Sequence, residues 1–82
     1  MQGTILIVDD EKHTREGLRQ SLEEEFDVYT AGNLDEALNV LSADHIDLVL
    51  TDLKLPGMNG LEFLQAIKRQ NAALPVVVMT AF

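Results

Sequence analysis

The 82-residue sequence contains no cysteine and no tryptophan, only two prolines, and four aromatic residues, three Phe and one Tyr. Without cysteine there is no disulfide framework and no thiolate metal site. That composition is compatible with a reducing compartment, and a cytoplasmic location is expected. Basic residues are also scarce, six Lys and Arg against fourteen Asp and Glu, for a net charge of −8. A field of that sign repels phosphates and anionic lipid surfaces, so no nucleic-acid contact by this chain is expected. No apolar run approaches the ~20 residues needed to cross a bilayer, and the N-terminus lacks the basic-then-apolar order of a secretory signal. No membrane association is expected. Long linkers, low-complexity tracts and solenoid-period repeats are absent as well.

What is there is a globular composition, 46% hydrophobic, in a chain long enough for one small domain spanning residues 1–82. A domain of this size buries only roughly 60% of the surface its unfolded chain exposes, so its stability is marginal. Short apolar runs alternate with helical spacing. Thr4 to Val8 is a continuous run rich in β-branched residues, as in a strand buried on both faces. Thr14, Leu18 and Leu22 recur every four residues, a thin stripe in a helix over about Lys12 to Glu25. Glu23, Glu24 and Glu25 read as the exposed end of that helix. Asp27 to Ala31 reads as a more polar strand at a sheet edge.

Asn33 and Glu36 form an N-x-x-E start signal, a variant of the capping box. Leu34, Ala37, Leu38 and Leu41 then mark the clearest helix. Ile46 to Asp52 is the third strand. Pro56-Gly57 punctuates the loop from Leu53 to Asn59. Gly60 to Gln70 is a third helix, with Leu61, Phe63, Leu64 and Ile67 facing inward. Asn71 to Leu74 connects to a last strand, Val76 to Met79, opened by Pro75. The order β-α-β-α-β-α-β implies parallel strands joined by right-handed crossovers, with helices on the faces.

In open sheets of this kind ligands bind beyond the carboxyl ends of the strands, at a topological switch point. Asp9 and Asp10 follow the first strand, Asp52 closes the third, and Thr80 follows the fourth. Clustered carboxylates repel one another and need a cation or a proton to persist. All the candidate donors are oxygens, which favours Mg²⁺ before Zn²⁺. Asp10 and Asp52 are the candidate direct ligands, Asp9 a ligand directly or through water, and the main-chain carbonyl of Lys54 can complete the set. A carboxylate beside Mg²⁺ can also attack phosphorus and form an aspartyl phosphate, with the Thr80 hydroxyl placed to bond a phosphoryl oxygen. Plainer roles exist for each residue. Asp9 or Asp10 could cap a helix, Asp52 could start a turn, and Thr80 could be a strand-end hydroxyl. His13 and His45 have no partner at metal-ligand spacing and read as surface residues. Met58 reads as loop packing and Met79 as core.

The blocks ILIVDDE, LVLTDLKLPGMNGLEFL and PVVVMTAF, in this order from Thr4 to Phe82, resemble the receiver domain of bacterial two-component response regulators. The MTAF ending is most similar to receivers of NtrC-like transcription activators. The resemblance implies a flavodoxin-like (CheY-like) doubly wound α/β fold with strand order 2-1-3-4. It implies that Asp52 is the phosphoacceptor, that Asp9, Asp10 and the Lys54 carbonyl join it in binding Mg²⁺, and that Thr80 is the switch hydroxyl. Pro56 and Gly60 would shape the loop after the phosphorylation site. The implied partner is a sensor histidine kinase or phosphotransfer protein, the implied output transcription, and the implied chemistry at most the receiver's own phosphorylation and dephosphorylation.

The family's receiver has five β-α units. The sequence here is expected to be a partial receiver, natural, proteolytic or engineered, that stops after the fourth strand. The Lys that ends the family's fifth strand has no counterpart, and neither Lys54 nor Lys68 replaces it by position. The fourth strand is then an apolar edge expected to pair with a second copy. An alternative function follows: a self-associating assembly unit with a relic metal site. A haloacid-dehalogenase-type phosphohydrolase is disfavoured, because Lys54 stands where that family carries its second Asp.

Overall fold

The computed structural model describes residues 3–52 and 60–79. Four strands, β1 (Thr4–Val8), β2 (Asp27–Ala31), β3 (Leu48–Asp52) and β4 (Val76–Met79), alternate with three helices, α1 (Lys12–Leu22), α2 (Leu34–Ala43) and α3 (Gly60–Gln70). All strand pairings are parallel, and the order is β2-β1-β3-β4. The expected α/β architecture and strand order are therefore what the chain adopts. β2, the most polar strand, lies at one edge as its composition implied.

Side chains alternate across the sheet, which sorts the β1 residues between two faces. Leu6 and Val8 join Ala31, Ala37, Val49, Phe63, Ile67 and Leu74 in one buried cluster under α2 and α3. Ile5 and Ile7 are buried on the opposite side, where α1 packs against β1 and β2. Burial of β1 on both faces accounts for its unbroken apolar run.

Helix starts follow local chemistry. The Asn33 side chain accepts the Glu36 N–H at 2.9 Å, and the Glu36 carboxylate returns to the Gly32 N–H at 3.0 Å, one residue earlier than in a strict capping box. Lys68 and Arg69 occupy the last turn of α3, where a cation favours the exposed carbonyls. Gln70 Nε2 donates to Ser42 Oγ at 2.7 Å and ties α3 to α2.

Five expectations need correction. Leu61 does not face inward; it is 64% exposed. At about 100° per residue it lies about 160° round the helix from Phe63, on the solvent side. Thr14 is exposed in the first turn of α1, so only Leu18 and Leu22 of its stripe are half-buried. Arg15 and Arg19 are partly buried on the same helix. α1 ends at Leu22 rather than Glu25, with Glu23, Glu24 and Glu25 in an exposed turn. β3 begins at Leu48 rather than Ile46. The Asp47 carboxylate, not a main-chain carbonyl, accepts the Thr4 N–H at 2.8 Å, which replaces a ladder bond with a side-chain bond. That N–H and then the His45 ring hold the Asp47 carboxyl below its usual range. His45 is exposed as expected, though its Nε2 lies 2.8 Å from Asp47 Oδ1. Met79 is half-buried rather than core.

Candidate functional site

β1 is flanked by β2 and β3, so the chain reverses its direction of sheet growth there, and the carboxyl end of β1 is a switch point. Asp9 and Asp10 leave the sheet at that point. β3 lies beside β1 with Val8 opposite Thr51, which places Asp52 next to them. One carboxylate oxygen each from Asp9, Asp10 and Asp52 falls within 4.8 Å of the others. Topology alone brings together residues 42 positions apart.

The three environments differ. Asp9 is buried at 2% exposure, Asp52 is half-buried, and Asp10 is exposed. Asp9 Oδ1 accepts the Glu11 N–H at 2.8 Å, and the Asp9 main-chain carbonyl accepts from Arg15 Nη1 at 2.7 Å. Burial pushes the Asp9 carboxyl above its ordinary value. The Glu11 N–H opposes that, and the charges of Asp52, Asp10 and Glu11 add to it. The cap of α1 is Glu11, whose Oε1 accepts the His13 N–H at 3.1 Å. Neither Asp9 nor Asp10 caps the helix, which removes the plainer role open to them.

An all-oxygen donor set at this spacing, with Asp10 exposed, fits a hard divalent cation that keeps several waters. It favours such a cation over Zn²⁺, whose structural sites are built mostly from His and Cys. Asp52 lies opposite Met79 in the β3–β4 register, and Thr80 is the next residue in the sequence. Thr80 and Lys54, with Pro56 and Met58, lie outside the described residues.

The family model of the response regulator receiver domain matches residues 5–82. This chain belongs to that family. The receiver is 35% identical over 81 residues to the hydrogenase transcriptional regulatory protein HoxA of Cupriavidus necator, covering 99% of this chain and 17% of that protein. It is 37% identical over 83 residues to sporulation initiation phosphotransferase F of Bacillus subtilis, covering 100% of this chain and 67% of that one. Among solved structures, the response regulator TrrA of Thermotoga maritima in complex with Mg²⁺-BeF superposes with a TM-score of 0.88 at 36% identity, over 99% of this chain and 71% of that one. The receiver thus spans about a sixth of the first regulator it matches. Receivers are signalling modules of two-component systems rather than free-standing enzymes, and the acidic pocket is where the family binds Mg²⁺.

Sequence reasoning passed over three residues at this edge. Glu11 caps α1 in an extended conformation, and Arg15, in the first turn, reaches back to the Asp9 carbonyl. Thr51 is buried beside Asp52, with its Oγ1 3.2 Å from the Asp52 carbonyl. Nothing in a strand sequence of alternating Leu and Val marks it.

Proposed function

We propose that this receiver takes a phosphoryl group from a histidine kinase or phosphotransfer protein onto Asp52. Asp9, Asp10, Asp52 and the Lys54 carbonyl are the proposed Mg²⁺ ligands, and Thr80 the proposed switch hydroxyl. The observation that carries the reading is the meeting of three carboxylates within 4.8 Å at the switch point of the sheet. A carboxylate oxygen of Asp52 attacks phosphorus in line, an O–P bond forms, and the P–N bond to the donor imidazole breaks with its electron pair kept on nitrogen. Mg²⁺ held by Asp9, Asp10 and Asp52 would supply charge neutralisation for the transfer. Half-burial leaves Asp52 reachable, while buried Asp9 fixes the floor of the site.

What the receiver resembles supports the proposed partner and output. A sensor histidine kinase, RcsC of Escherichia coli, is 41% identical over 78 residues. HoxA, a transcriptional regulatory protein, supports transcription as the output of the parent protein. Incubation with Mg²⁺ and acetyl phosphate should add the mass of one phosphoryl group, and Asp52→Asn should abolish the addition. Labelling that persists in Asp52→Asn overturns the assignment.

A second reading is a self-associating unit with a relic site. The exposure of Val77 and Val78 on the edge strand β4, 46% and 39%, favours it. Absence of any labelling of the wild-type chain would select this reading over the first.

A further inference from the structure

We infer that Arg15 is a positioning residue for the cation site, acting through the main-chain carbonyl of Asp9. The inference rests on the reading of Asp9 and Asp10 as ligands. Asp9 is held by partners from the end of β2 and from the start of α1. Its N–H donates to the Ala31 carbonyl at the end of β2 at 3.1 Å. Its Oδ1 takes the Glu11 N–H at 2.8 Å. Its carbonyl takes Arg15 Nη1 from α1 at 2.7 Å. That carbonyl belongs to the planar Asp9–Asp10 peptide. A donor fixed on its oxygen therefore fixes the direction in which Asp10 leaves, and with it the separation of the two carboxylates.

Arg15 is itself well anchored. Its main-chain N–H closes the first turn of α1 on the Glu11 carbonyl at 3.0 Å. Its Nη1 lies 3.1 Å from where a Cβ on residue 32 would stand, so Gly32 leaves the room the guanidinium occupies. One side chain thus joins the ends of β1 and β2 to the start of α1.

Two consequences of Arg15 oppose each other. Its positive charge near a cation site weakens Mg²⁺ binding by like-charge repulsion, a few-fold effect at most once salt screens it, to about the order expected at a solvated edge. Its hold on the Asp9 carbonyl preorganises the ligands, and loss of such an outer partner costs on the order of 10–100-fold in metal affinity. Positioning is the larger effect, so removal of the positive charge should weaken Mg²⁺ binding rather than tighten it.

Calorimetric titration of the 82-residue chain with MgCl₂ alone, with no phosphodonor, reads the sign. Arg15→Met should bind about tenfold more weakly, and Arg15→Lys, whose ammonium can still donate to the carbonyl, should recover part of the loss. Gly32→Ala keeps the charge and makes the guanidinium give by a few tenths of an ångström, and should show a smaller loss in the same direction. It serves as the second variant if Arg15→Met does not fold. Unchanged or tighter binding in Arg15→Met or Gly32→Ala overturns the inference. A wild-type chain that binds no Mg²⁺, or binds it equally after Asp10→Asn, overturns the ligand reading and this inference with it.

Discussion

Asp9 carries the sharpest conflict between folding and site chemistry. Its carboxylate is buried, feels the charges of Asp52, Asp10 and Glu11, and among the described residues accepts one N–H, that of Glu11. In the unfolded chain the group titrates near its ordinary value of 3.8, and in the folded chain it holds its proton to higher pH. The folded state therefore binds more protons between those two values, and stability falls as pH rises through that window. Below 3.8 the penalty is absent, and above the raised value it is complete. Asp9→Asn removes the charge and keeps an oxygen for the Glu11 N–H. In EDTA at neutral pH this variant should melt above wild type, and the advantage should shrink as pH is lowered toward 3.8. Mg²⁺ should then raise the melting temperature of wild type but not of Asp9→Asn. Thermal unfolding followed by circular dichroism measures both. Coincident melting curves in EDTA would show that the buried charge costs nothing.

At the scale of elements, what the sequence made legible depends on how local the deciding interaction is. The strands were readable because apolar runs end at turn residues or carboxylates, and α2 because Asn33 and Glu36 act within one turn. The acid cluster was readable because a parallel βα order sends every strand's carboxyl end to the same side. The start of β3 was not, since it is decided by Asp47 capturing an N–H 43 residues away. Arg15 was not, because its partner is a main-chain oxygen whose direction no sequence pattern records. α3 shows the limit of counting apolar residues: Phe63 is 1% exposed and Leu61 64%, yet both are large apolar residues in one helix. Phe63→Ala should cost about 3–5 kcal/mol, enough to unfold much of a marginal domain. Leu61→Ala should stay within about 0.5 kcal/mol of wild type. Urea unfolding of the two variants separates them, and similar losses would mean that α3 presents a different face to the sheet.

At the scale of the whole molecule, two long-range properties act against each other. The chain carries a net charge of −8, which holds copies apart. The sheet presents β4 as an edge, with Val77 and Val78 exposed and the half-buried Leu50 beside Val77 in the register. Among the described residues β4 pairs with β3 alone, and an edge strand flanked by valines is a template for another strand. Repulsion acts over about 10 Å at 0.1 M salt and about 3 Å at 1 M, whereas strand pairing acts only at contact. Salt should therefore weaken the first and leave the second. In sedimentation experiments the average mass of the 82-residue chain should rise as NaCl is increased from about 0.05 to about 0.5 M. Mg²⁺ should promote the same rise at lower ionic strength, because it removes negative charge at a defined site rather than screening it throughout. Val77→Lys places a charge on the edge and should hold the chain monomeric across the series. A wild-type chain that stays monomeric at every salt concentration would show that the β4 edge does not pair, and that the marginal core under α2 and α3 suffices to hold the sheet.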